Sequence, residues 1–125
     1  MTNSERATAS IRPLPERDQP ISEQFRLVAV AYADAEAAAS LMEELKTTTL
    51  ETMKSKMIAA QGEMPDNKSE RLVKSSEAWR EYIEQMCDHR AKATKLRLKL
   101  EYVRMRHSEW QSRDANARHE ARLSR

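Results

Sequence analysis

Three histidines, one cysteine and a run of basic residues are the side chains in this sequence whose types could do chemistry. His89, His107 and His119 are 18 and 12 residues apart. On one helix those spacings are roughly 27 and 18 Å, so the three imidazoles cannot share a metal ion within one chain. Cys87 and His89 are two residues apart, which on a helix turns them away from each other. Glu43 and Glu44 lack the Glu-x-x-His partner of a di-iron bundle. There is no Gly-rich phosphate loop, nucleophile elbow or paired-carboxylate cleft. The expectation is a protein with no catalytic, cofactor-binding or metal site, and so not an enzyme.

The basic residues are the stronger signal. Residues 89–125 hold 11 Lys and Arg against 4 Asp and Glu, while residues 21–63 hold 4 against 7. Arg90, Lys92, Lys95, Arg97, Lys99, Arg104 and Arg106 are candidate nucleic-acid contacts, because phosphates are attracted to such a face irrespective of base sequence. The competing expectation, which we favour, pairs these bases with acids of the first helix such as Glu23, Asp34 and Glu36, or with a second subunit.

The element that must position them runs from Leu72 to Trp110. Leu72, Ser75, Trp79, Tyr82, Met86, His89, Ala93, Leu96, Leu100, Val103, His107 and Trp110 recur by threes and fours without a break in step. That spacing predicts a helix with a partner-facing seam. Trp79, Tyr82, Met86, Leu96, Leu100, Val103 and Trp110 are the expected oligomer or partner interface, with the two tryptophans as anchors rather than base-stacking platforms. A second row, Ile83, Cys87, Ala91, Leu98, Tyr102 and Met105, makes the apolar stripe wider than a two-stranded zipper needs, which predicts more than one neighbour.

A first helix is expected over residues 20–61, burying Ile21, Phe25, Val28, Tyr32, Ala35, Ala39 and Met42. Thr47, Thr48 and Thr49 should disturb it locally, being β-branched, and two helices joined near Thr48 are the alternative. The alanine-rich segment 29–39 would let backbones approach. Residues 62–67 read as a turn, with Gly62 ending one helix, Pro65 following, and Asn67 as the N-cap of a second helix over 68–122 with Glu70 in capping-box position. The predicted fold is therefore all-α, a long antiparallel helical hairpin assembling into a dimer or larger helical bundle. Partners across it should have numbers summing to about 129, which sets Phe25 near Arg104 and Met53 near Trp79. Residues 1–19, with Pro13 and Pro15, read as a flexible arm whose Ile11, Pro13 and Leu14 could dock on a partner or on the overhanging end of the long helix.

Composition agrees with this architecture. Of 125 residues, 39% are hydrophobic, 34% charged and 5% aromatic, with a single Gly. Such values belong to long helices rather than to a compact globule or a sheet. The lone Cys87 cannot form an intramolecular disulfide, and residues 1–10 hold neither an apolar run nor a cleavage motif, so a cytoplasmic protein without membrane contact is expected.

The runs KLEYVRMRHSEWQSRDANARHEARL (residues 99–123) and ERLVKSSEAWREYIEQM (residues 70–86) resemble a group of small uncharacterised helical proteins encoded by temperate phages and prophages, in the DNA recombination gene region. The resemblance covers roughly the second helix. It implies a phage-encoded protein acting in a bacterial cytoplasm, and supplies no activity to transfer residue by residue. Two functions follow as expectations. One is an oligomeric helical interaction protein acting on a protein partner in DNA recombination, or as an inhibitor of a host nucleic-acid enzyme. The alternative is a direct DNA- or RNA-binding protein using the basic half of the long helix.

Overall fold

The computed structural model describes residues 20–124, all helical apart from short connections. The expected N-terminal arm, residues 1–19, lies outside the described residues. Four helices follow in order: α1 (Ile21–Glu44), α2 (Lys46–Gln61), α3 (Asp66–Lys74) and α4 (Glu77–Leu123). At 1.5 Å per residue, the 47 residues of α4 span about 70 Å.

α1 starts where Pro20, with its φ already fixed, offers its carbonyl to the amides of Glu23 and Gln24, both at 3.0 Å. It packs antiparallel against α4. Val28 buries with Leu100 and Val103, and Ile21, Phe25, Ala29 and Tyr32 pack around them. Further along, Ala35 and Ala39 meet Ala93, with Leu96 beside them. Three methyl side chains meet there, and little else fits between the helices at that level. Arg104 lies over the ring of Phe25, 5.4 Å from its centroid. That contact follows the register set by residue numbers summing to about 129.

Neither arm of the hairpin is the single helix expected from the sequence. The first is interrupted at Leu45, ahead of the three threonines rather than at them. Leu45 stays right-handed (φ −83°, ψ 0°), and bonds from Leu45 N to Leu41 O (3.0 Å) and from Thr49 N to Leu45 O (2.8 Å) carry the chain across. Hydroxyls just beyond it bond back to carbonyls four residues earlier, Thr52 to Thr48 (2.9 Å) and Ser55 to Glu51 (3.0 Å), a pattern that loosens a helix.

The second arm breaks at Ser75 and Ser76, inside the expected helix 68–122. Ser75 Oγ donates to the carbonyls of Arg71 and Leu72, both at 3.0 Å. Ser76 turns extended (φ −80°, ψ 154°), and its Oγ accepts from Trp79 N at 3.3 Å as the N-cap of α4. The serines thus offer the backbone an alternative to the helical ladder. Ser75, expected in the seam, is consequently exposed. α3 also begins earlier than expected. Pro65 takes the N-cap position and Asn67 lies within the helix, not at its cap.

α2 and α3 fold back on each other through Gly62, whose φ of 94° and ψ of 172° belong to backbone that essentially only glycine adopts. Lys54 of α2, its side chain 7% exposed, holds this tip: its Nζ is 2.6 Å from Asp66 Oδ1 and 3.3 Å from Glu51 Oε1. Those contacts, led by the Asp66 hydrogen bond, push the Lys54 pKa up. Val73 and Ser69 bury against this junction.

Candidate interaction surface

The hairpin uses its own seam. Of the seven expected interface residues, Trp79, Leu100 and Val103 are buried and Tyr82, Met86 and Leu96 half-buried within the chain itself. The Tyr82 hydroxyl donates to the carbonyl of Met42, and its ring stacks on Trp79 at 5.7 Å. Trp79, Leu100 and Val103 are thereby taken up within the chain, and Met86 also borders a shallow groove. Trp110 differs, being 56% exposed and stacked on His107, 6.3 Å away. α1 begins at Ile21, level with Arg104, His107 and Ser108, with which it lines a cleft together with Ser22 and Phe25. Beyond that level α4 has no helix opposite it among the described residues, and His107 and Trp110 are exposed. His89 is exposed as well. A two-helix pair covers only a narrow strip of each member, and a seam residue at the strip's edge remains hydrated.

What the pair leaves uncovered is the second row of α4. Leu98, Tyr102 and Met105, stepping by four and three, are 54, 60 and 61% exposed. Cys87 and Ala91 extend the row toward the N-terminus, also exposed. With Glu43, Met86, Arg90, Thr94 and Lys95 they line a shallow groove. Sequence reasoning missed an equivalent row on α1, made of Leu27, Val30 and Leu41. The spacings of 14 and 11 between these residues were the available signal, four and three turns respectively. At about 100° per residue they lie on the far side of α1 from Glu36 and Glu43, whereas Cys87 and Ala91 share the side of α4 from which Arg90 reaches those two carboxylates. The hairpin therefore offers apolar rows on its two opposite sides.

The basic candidates divide by what they touch. Arg90 bridges Glu36 (Nη1 to Oε2, 2.6 Å) and Glu43 (Nε to Oε1, 3.0 Å) across the hairpin. Its hydrogen bonds to the carboxylates of Glu43 and Glu36 push its pKa up, and the Arg90 hydrogen bond in turn holds Glu36 below the usual glutamate range. Arg104 covers Phe25. Arg106 donates to Gln24 Oε1 at 3.3 Å and lies over Tyr102 at 5.9 Å. Arg97 stands close enough to Glu36 to lower its pKa further. Lys99 is engaged within the chain as well. Lys92 and Lys95 are exposed, with no ion pair among the described residues. The expected pairing with Glu36 is present. Glu23 instead pairs with Arg26 on its own helix, at 2.6 Å.

No group of three His, Cys, Asp or Glu side chains among the described residues could hold a metal ion. No described helix is long and apolar enough to cross a membrane. Comparison with family models, with curated proteins and with solved structures finds no match for this chain.

Proposed function

We propose that the protein is a non-enzymatic helical interaction protein that works as a homo-oligomer and presents its remaining apolar surface to a protein partner. The observation that carries this reading is the row Leu98, Tyr102 and Met105, three large apolar side chains more than half exposed on one face of one helix. Contiguous apolar surface of this kind marks interaction sites on folded proteins. The opposite row on α1 lets one hairpin touch two neighbours at once. The resemblance of residues 70–86 and 99–123 to phage and prophage helical proteins supplies the setting, a bacterial cytoplasm. The partner class is then a protein of DNA recombination, or a host nucleic-acid enzyme that the hairpin inhibits. Light scattering is the test: a mass of at least twice 14.5 kDa at micromolar concentration supports assembly, and the monomer mass throughout that range overturns it.

A second reading rests on Lys92 and Lys95, which are exposed and make no ion pair among the described residues. As a nucleic-acid binder the protein would retard DNA in a gel at low salt. Replacing Lys92, Lys95, Lys99 and Arg106 by Gln would then flatten the salt dependence by up to about 0.9 log units per lost contact. Because most of the neighbouring bases already bind side chains of α1 or of α4 itself, the expected result is no DNA retardation at physiological salt. A strong shift there, abolished by the four changes with helicity intact, would reverse the ranking.

A further inference from the structure

We infer that copies of this chain stack side by side, the outer row of α4 on one copy packing against the outer row of α1 on the next. This rests on the reading that the protein is a homo-oligomer, and it names the two surfaces and the arrangement. The rows match in length. Leu27 to Leu41 on α1 and Ala91 to Met105 on α4 each advance by 14 residues, about 21 Å of helix. They also match in shape when the two helices run antiparallel, as they do within the chain. Leu41 set over Ala91 enters the shallow groove that Cys87, Ala91 and Thr94 line with small side chains. Val30 is then level with Tyr102 and Leu27 with Met105, so that exposed apolar residues meet along the whole row.

Charge selects this pairing over the others. Residues 27–41 carry two acids, Asp34 and the Arg90-bound Glu36, and no base. Residues 91–105 carry five bases, Lys92, Lys95, Arg97, Lys99 and Arg104, and one acid, Glu101. Packing α4 on α4 would set base on base, and α1 on α1 acid on acid, whereas α1 on α4 opposes unlike charges.

Charge also fixes the relative orientation of the copies. Arg90 and Glu36 mark one face of the hairpin. At about 100° per residue, Asp34 lies on the edge of the α1 row turned away from Glu36, and Lys95 and Lys99 on the edge of the α4 row turned away from Arg90. The three therefore share the other face. Copies in the same orientation, the one in which neighbouring α1 and α4 run antiparallel, bring Asp34 level with Leu98 and between Lys95 and Lys99. Turning alternate copies over would carry Asp34 to the opposite edge, beside Glu101. Like charges meet near the ends of the row, Glu44 with Asp88 and Arg26 with Arg106. There Lys92 stands one turn from Asp88, and Glu23 already holds Arg26. Because the two surfaces differ, each pair of copies keeps one of each unused, and the stack continues instead of closing at two. The rows at its ends remain for the protein partner.

Disulfide trapping in the full chain is the test. Leu41 and Ala91 lie on opposite sides of one hairpin, so cysteines at the two positions cannot bridge within a chain. Under mild oxidation, Leu41→Cys with Ala91→Cys in a Cys87→Ala background should give a ladder of covalent multimers on a non-reducing gel. Either new cysteine alone in that background should leave a monomer band. In light scattering, Asp34→Lys and Lys95→Glu should each lower the mass and the two together should restore it, with helicity by circular dichroism unchanged in every variant. A covalent dimer from either single cysteine, or a wild-type mass that stops at twice 14.5 kDa, would overturn the stack in favour of a two-fold dimer. A larger oligomer that gives no ladder would overturn these surfaces while leaving homo-oligomerisation standing. A monomer by light scattering would overturn homo-oligomerisation itself.

Discussion

Arg90 Nη1 lies 2.6 Å from Glu36 Oε2, joining α4 to α1 by a charge-assisted hydrogen bond across 54 residues of sequence. The bond holds the Glu36 carboxyl below the usual glutamate range. A pKa depressed by folding contributes stability above the unfolded value, about 4.3, and that contribution is lost as the pH falls through the folded value. Wild-type protein should therefore melt at a higher temperature than Glu36→Gln at pH 7. The gap should narrow as the pH drops below about 4. Thermal melts of both proteins across that range check it, and a gap independent of pH would refute it.

Trp79 and Trp110 belong to one seam pattern but have different surroundings. Trp79 is buried against Tyr82 near the base of α4, so Trp79→Ala should cost about 3 to 5 kcal/mol in urea unfolding. Trp110 is 56% exposed, with no helix opposite it among the described residues, and lies off the Leu98, Tyr102 and Met105 row, so Trp110→Ala should stay within about 0.5 kcal/mol. Equal losses at both positions would show that something covers Trp110.

Gly62 closes the turn between α2 and α3 with a φ of 94°, and no atom lies within 4 Å of where a Cβ would stand. The whole penalty of Gly62→Ala is then backbone strain, about 1 to 3 kcal/mol. Unfolding of the variant should show that loss with an unchanged denaturant slope.

Ala39 is fully buried against Ala35 and Ala93. Ala39→Leu should force α1 and α4 apart at that level and cost about 1 to 3 kcal/mol, because an already packed contact has no room for the added carbons. Ala38→Leu, one residue away on a less buried part of the helix, is the control and should melt close to wild type.

The sequence by itself determined the helical class and the antiparallel register of α1 on α4, whereas α2 packs chiefly on α3. Those follow from the spacing of Val28, Ala35, Ala39, Ala93, Leu100 and Val103 and from the Gly62 and Pro65 turn, all of them local periodicity and turn chemistry. The interruptions at Leu45 and at Ser75 and Ser76 were beyond it. Helical spacing runs through both sites, and only the assembled backbone shows the serine hydroxyls bonding to carbonyls instead of leaving the ladder intact. The tertiary structure also decided which apolar residues are spent and which are free. A helix of this kind carries two rows, and one neighbour covers one strip. The position of α1 assigns Leu100 and Val103 to the chain's own core and leaves Leu98, Tyr102 and Met105 outside. It also decided which acid each base meets, bringing both Glu36 and Glu43 to Arg90 while Glu23 pairs with Arg26 on its own helix.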